Sequence, residues 1–194
     1  FSIMRIFSWS SGLRMWLTQL NLHPSDTMAL TNYGIEQKKK GNYSSAINAF
    51  QSGIEKCDKE RDYVQLSLLY QNMGSILSKQ YNQRDEALKY FQRAIETHET
   101  SSLWLSVGDI HAFDGAYERA LEAFERARKL APKNYNVYLS IAGALAGMGR
   151  FDEAVTYAEK AIDFASNSKK HLEEDRRKKE VIIQFKRRAS AKKQ

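Results

Sequence analysis

Small residues recur at a fixed interval through the middle of this chain. Gly74, Gly108 and Ala142 are 34 residues apart, and so are the pairs Ala120 and Ala154, and Ala127 and Ala161. A period of this length signals a tandem array of one small unit, each copy covering its neighbour, rather than one closed core. Inside each unit the apolar residues fall at i, i+3, i+4 and i+7, which is one face of an α-helix. Tyr138, Ile141, Ala142 and Leu145 make one such stripe, and Phe151, Ala154, Ala158, Ala161 and Ile162 make the next. Gly41, Gly115 and Gly149 stand between paired stripes, where a tight turn needs a permissive backbone. Acidic residues open the second stripes (Asp85 and Glu86, Glu118, Asp152 and Glu153), as the helix dipole favours. The unit is therefore expected to be a helical hairpin, and the fold all-α.

The clearest unit starts at Ser101 and carries Trp104, Val107, Gly108, Tyr117, Ala120, Phe124, Ala127 and Pro132. These residues follow the W-x2-L-G, A-x3-F, A, P pattern of one known repeat, and the chain resembles a tetratricopeptide-repeat (TPR) protein. Three further units match in part: Leu30, Tyr33, Gly34, Tyr43, Ala46, Phe50 and Gly53; Tyr70, Met73, Gly74, Ala87, Phe91 and Ala94; and the stripes from Tyr138 to Ala161. The resemblance implies a right-handed α-solenoid of about four helix-turn-helix repeats, at 27–66, 67–100, 101–134 and 135–166. An N-terminal amphipathic segment (1–26) and a C-terminal charged helix with a basic tail (167–194) flank them. Two departures stand out. Gly34 and Gly74 are 40 residues apart, so a longer connection is expected around Lys56–Val64, and Ala158 replaces the usual bulky aromatic, which is expected to loosen the last hairpin.

In this family the first helix of each repeat lines a concave groove that receives a peptide or helix. On this chain the resemblance puts Thr31, Ile35, Leu68, Gln71, Asn72, Leu105, Ser106, Asp109, Leu139, Ser140 and Gly143 along that groove, with Met28, Ser75, Ala112 and Ala146 beside them. The lining is nearly uncharged, with small residues and two leucines in its second half, and suits an apolar helix or an extended strand. The alternative is that several of these residues are turned into packing between repeats. Some relatives grip the acidic tails of chaperones with a clamp of Lys, Asn and Arg. At the matching positions this chain has Thr31, Ile35, Asn72, Ser102 and Ser106, so all three cations are missing and chaperone tails are not expected partners.

The charge is concentrated at one end. Residues 167–194 hold eleven Lys or Arg against four Asp or Glu, a net +7, which is the net charge of the whole chain. Glu173–Arg177, Glu174–Lys178 and Asp175–Lys179 are i,i+4 pairs in the favourable order, which predicts a helix. Val181, Ile182, Ile183 and Phe185 follow as an apolar patch that caps the array or meets a partner. Lys186, Arg187, Arg188, Lys192 and Lys193 then form a basic tail able to meet phosphate backbones or acidic lipid, or to stay solvated. At the other end residues 1–25 carry no acid, and Trp9, Leu13, Trp16, Leu17 and Leu20 share one helical face. That segment reads as a mitochondrial-type targeting helix, a membrane-surface helix or a cap folded onto the array. A cytoplasmic location is expected, with a mitochondrial one as the alternative.

Catalytic chemistry finds little support. His23, His98, His111 and His171 are scattered, no P-loop, nucleophile-elbow or zinc-protease motif is present, and Cys57 is the single cysteine. Lys56 and Lys59 beside Cys57 are expected to lower its pKa if it is reactive; the simpler reading is a packed small residue. No cofactor and no metal are expected. The chain reads as a non-enzymatic scaffold that holds a helical or extended peptide. The alternative is an adaptor tethered to membrane, organelle or nucleic acid by its termini.

Overall fold

The computed structural model describes residues 14–23 and 25–166, and every regular element among them is a helix. Two compact units divide the chain, one ending at Glu99 and the other starting at Thr100. The first holds α1 (residues 14–22), α2 (Thr27–Lys39), α3 (Tyr43–Lys56), α4 (Tyr63–Lys79) and α5 (Arg84–Thr97). The second holds α6 (Ser101–Phe113), α7 (Tyr117–Leu130), α8 (Tyr135–Gly147) and α9 (Phe151–Ser166). Within them α2 packs on α3, α4 on α5, α6 on α7 and α8 on α9.

Three of the four hairpins turn in the same way. The first helix ends on a left-handed glycine, Gly41, Gly115 or Gly149, with φ between 75° and 80°. The next residue's N–H then reaches back to the helix, Asn42 to Gln37 O, Ala116 to His111 O and Arg150 to Leu145 O, each 2.9 Å. This closure satisfies carbonyls that the helix end would otherwise leave bare. The α4–α5 turn is one residue longer. Asn82 takes the left-handed conformation (φ 56°), its carboxamide oxygen accepts from Arg84, and Gln83 N–H reaches Leu77 O at 2.9 Å. Asparagine is among the few residues with a side chain that adopt this conformation at low cost.

A glycine facing a phenylalanine closes each of the first three hairpins. Gly34 lies under Phe50, Gly74 under Phe91 and Gly108 under Phe124, and all three rings are at most 1% exposed. A Cβ on Gly108 would sit 2.9 Å from Phe124 Cζ and closer still to Cε1. The small residue is thus required by the ring it faces. The fourth hairpin divides the space differently: Ala142 and Ala158 occupy the two equivalent positions, at 1% and 0% exposure. Tyr138 closes the same end by packing on Phe164 (ring centroids 4.9 Å apart) and donating its hydroxyl to Pro132 O at 2.7 Å. Ala142 restores one methyl of the volume that Ala158 gives up, and both alanines are buried.

The extra length between Gly34 and Gly74 is shared between the expected longer connection and one helix. Only six residues, 57–62, connect α3 to α4, while α4 has 17 residues against 13 in each of α2, α6 and α8. Most of the insertion is therefore an additional helical turn, Tyr63–Leu66. Two serines 34 apart show this. Ser101 Oγ, on the first residue of α6, donates to Ala127 O at 3.0 Å. Ser67 Oγ donates to Ala94 O at 2.9 Å, but from one turn inside α4. The added turn is held by Leu66, 3% exposed, and by Tyr63, whose ring meets His98 edge-on at 5.7 Å.

Candidate functional site

In the first unit α2 and α4 lie side by side, joined by two polar rungs. Gln65 Nε2 donates to Thr31 Oγ1 and Lys38 Nζ donates to Asn72 Oδ1, each at 2.5 Å. The rungs are seven residues apart on both helices, so the helices run parallel and in register. Both polar anchors are internally satisfied as well. Thr31 Oγ1 donates to Thr27 O at 2.7 Å, and Asn72 Nδ2 donates to Leu68 O at 2.9 Å. Thr31 is 1% exposed and Asn72 6%. These two residues therefore do not line an open groove; they are the packing between first helices, paired because a buried polar group left alone costs about 1–3 kcal/mol.

The rest of the expected lining in this unit is accessible. Ile35 and Gln71 are half-buried, and Leu68 and Met28 are exposed. One residue on this face was missed by sequence reasoning. Lys38 continues the 28, 31, 35 series by one more turn, and that spacing was the available signal. Its ammonium is half-buried, and burial, then Lys79, then Lys39 hold its pKa below the usual lysine value.

In the second unit Leu105, Ser106, Leu139 and Ser140 are half-buried, and Asp109 and Gly143 are exposed. A Cβ built on Gly143 would meet nothing within 4 Å, so the surface above α8 is open there. Beneath it Val137, Tyr138, Ile141, Ala142, Ala144 and Leu145 form the buried side of the same helix. A separate cavity of about 330 Å³ is bounded by α6 and α7, where Trp104, Val107, His111, Arg119, Glu122, Ala123 and Arg126 line it. The Arg126 guanidinium lies 5.9 Å from the Trp104 ring centroid. Sequence reasoning had read Trp104 only as a signature of the repeat.

Cys57 is the packed small residue of the simpler reading and not a thiol of lowered pKa. It follows directly on α3, is 8% exposed, and directs Sγ at Asp62 O at 3.6 Å. Burial first, then Asp62 and Asp58, push its thiol pKa up, opposite to an activated nucleophile. Among the described residues no three His, Cys, Asp or Glu side chains gather as a metal site, and no helix is long and apolar enough to cross a membrane. In α1, Trp16 and Leu20 are half-buried and Leu17 exposed, and Gln19 Nε2 donates to Asp26 Oδ2 at 3.0 Å. Trp9, Leu13 and the basic residues Lys186, Arg187, Arg188, Lys192 and Lys193 lie outside the described residues, as does the apolar patch at 181–185.

Recurring helical hairpins, three of them closed by a glycine-facing-aromatic contact, with open faces on their first helices, define a tandem-repeat protein. Residues 80–135 match the family described as tetratricopeptide repeat, and the described residues have the tetratricopeptide-repeat fold. Residues 112–186 also match the family described as regulator of microtubule dynamics protein 1-3. A TPR repeat-containing protein of Methanocaldococcus jannaschii is 26% identical over 153 residues, which cover 76% of this chain and 27% of that protein. The chain thus spans about a quarter of the length of the curated relative it matches. Among solved structures, PilW, a type IV pilus biogenesis factor, aligns at TM-score 0.78 and 16% identity, over 98% of this chain and 84% of that one. MamA aligns at TM-score 0.66 and 22% identity, over 87% and 89%. YrrB, described as a TPR protein with an unusual peptide-binding site, aligns at TM-score 0.60 and 21% identity, over 86% and 82%. At these identities the structures speak for the fold. Proteins of this fold generally mediate protein–protein interaction.

Proposed function

We propose that the chain is a non-catalytic interaction module that seats a helical or extended segment of a partner protein on the outward faces of its first helices. The observation that carries this reading is the open surface of α8. Its buried side is complete, yet Leu139 and Ser140 stay partly accessible and nothing stands above Gly143. Leu105 and Ser106 on α6 have the same partial exposure. Half-exposed leucines among serines and glycine give a docking segment apolar contact without demanding a particular charge. The test is selection of a random dodecapeptide display library on the whole chain, then on Leu105→Lys/Leu139→Lys. The double variant is expected to lose the selected peptides while keeping its helicity and melting temperature. Undiminished capture by it would count against docking on this face.

The match of residues 112–186 to regulators of microtubule dynamics favours a second reading, in which the partner sits on the microtubule. The +7 carried by residues 167–194 supports attraction to a polyanionic filament. Pelleting with paclitaxel-stabilised microtubules is the check. Salt-sensitive co-sedimentation is expected, and a chain that stays in the supernatant at low salt removes this reading but leaves the first.

A further inference from the structure

One position of the repeat is filled by a ring in two hairpins and left open in a third. In the α4–α5 hairpin it is Tyr90, on the second helix, whose ring meets Tyr70 of the first helix with centroids 6.2 Å apart. Tyr157 and Tyr138 repeat that contact between α9 and α8, again at 6.2 Å. Each second-helix tyrosine also has a cation three residues on. Arg93 lies 5.8 Å from the Tyr90 centroid, and Lys160 lies 5.3 Å from that of Tyr157. Residues three apart on a helix are neighbours, so ring and cation come as a pair.

In the α6–α7 hairpin the two outer parts of this arrangement are kept and the middle one is missing. Trp104 takes the place of Tyr70 and Tyr138, and Arg126 that of Arg93 and Lys160, but between them stands Ala123. The Arg126 guanidinium is left over the Trp104 ring, 5.9 Å from its centroid. The broader indole does not take up the space of the missing ring. The cavity of about 330 Å³ lies here, lined by Trp104, Ala123, Arg126 and their neighbours. That volume falls within the range of about 300–1,000 Å³ usual for small-ligand sites. The first hairpin also has an alanine at this place, Ala49, but Leu30 and Ser52 stand where the ring and the cation would be. The third hairpin alone among the four combines an aromatic wall and a cation with a missing ring.

We propose that this cavity takes an aromatic side chain from a partner protein. Its ring is set against the Trp104 indole as Tyr90 and Tyr157 are set against Tyr70 and Tyr138, with the Arg126 guanidinium at the ring's negative face. Two sister hairpins show which group this frame encloses. The site goes beyond the docking face proposed above and shares no residue with it. Trp104 and Leu105 follow one another on α6, about 100° apart around the helix, so they face different ways.

The variant that tests this is Ala123→Tyr, which closes the cavity with the side chain the sister hairpins already use. It is expected to raise the melting temperature or leave it unchanged. The dodecapeptide library is selected on the whole chain and then depleted on Ala123→Tyr, so that only peptides needing the open cavity remain. Those peptides are expected to share a Tyr, Phe or Trp. In fluorescence anisotropy with one of them, replacing its aromatic residue by Leu should weaken binding about tenfold. Arg126→Gln should weaken the same peptide about threefold. Arg126 is exposed, so this variant takes over the depletion if Ala123→Tyr does not fold. Leu105→Lys/Leu139→Lys should change the peptide's affinity by less than about twofold, as expected of separate sites. The assignment is overturned if no peptide separates the chain from the variant, or if those that do carry no aromatic residue. Binding indifferent to Arg126→Gln and to the aromatic replacement would overturn it as well; none of these results touches the docking reading. Loss of the peptide by the leucine double variant would overturn it too, because the ring would then lie on the docking face.

Discussion

The faces of α2/α4 and α6/α8 are built on the same repeat and differ in how they are finished. At the place of Thr31 the second unit has Leu105, at the place of Asn72 it has Ser106 and Ser140, at the place of Lys38 it has Ala112, and at the place of Lys79 it has Phe113 and Gly147. The first face is cross-linked by hydrogen bonds and ends in cations; the second is uncharged apart from the exposed Asp109. Buried polar rungs cost nothing only while every partner is present, and in return they fix one register. A smooth apolar face accepts more shapes and enforces less. One chain thus offers a selective surface and a permissive one.

The largest effect should be common to both units. Phe50→Ala and Phe124→Ala each remove a buried ring and are expected to cost about 3–5 kcal/mol in denaturant unfolding. Amide exchange should show protection lost first in residues 27–97 for the one and 101–166 for the other. Uniform loss for either would mean that the two units do not differ in how they respond.

The fourth hairpin sharpens the comparison next. Ala158→Phe alone should overpack Ala142 and cost about 1–3 kcal/mol, while adding Ala142→Gly should recover much of that. A double variant no better than the single one would show that the closure there is not set by the summed volume of the two positions.

Asn72→Leu tests the rungs directly. It strips Lys38 of its acceptor and is expected to destabilise the chain by about 1–3 kcal/mol, against less than about 0.5 kcal/mol for Ser140→Ala. Similar costs for the two would erase the distinction between the faces.

The smallest effect lies at the helix caps. Asp26 accepts from Ala29 N–H at the start of α2, and Thr100 from Leu103 N–H at the start of α6, so either alanine replacement should cost about 1 kcal/mol at neutral pH. Their pH dependence should differ. The Ala29 N–H holds the Asp26 carboxyl below its ordinary value, so its contribution is complete above the unfolded carboxylate range and fades as pH falls through the lower folded value. Thermal melts should therefore show the Asp26→Ala deficit shrinking in acid and the Thr100→Ala deficit unchanged.

The architecture was legible because periodicity survives substitution. The glycines at 41, 115 and 149 marked three turns, and the structure puts each at positive φ. What stayed hidden depends on single residues. The extra turn of α4 rests on Leu66 and Tyr63, which follow the polar stretch 58–62 and carry no period of their own. Thr31 and Asn72 look like surface residues, and only their hydrogen bonds reveal them as interior. Lys38 was hidden in Lys38-Lys39-Lys40, where composition alone cannot tell the laid-down side chain from its solvated neighbours.

The paired rungs between α2 and α4 have a mechanical meaning. Sliding one helix along the other by a single turn would break both bonds together, with no half-way register to rest in. The offset between Met28 on α2 and Leu68 on α4 is then a fixed gauge, indifferent to thermal shear. A segment whose marks are one residue too close or too far must strain itself, because the surface will not stretch to meet it.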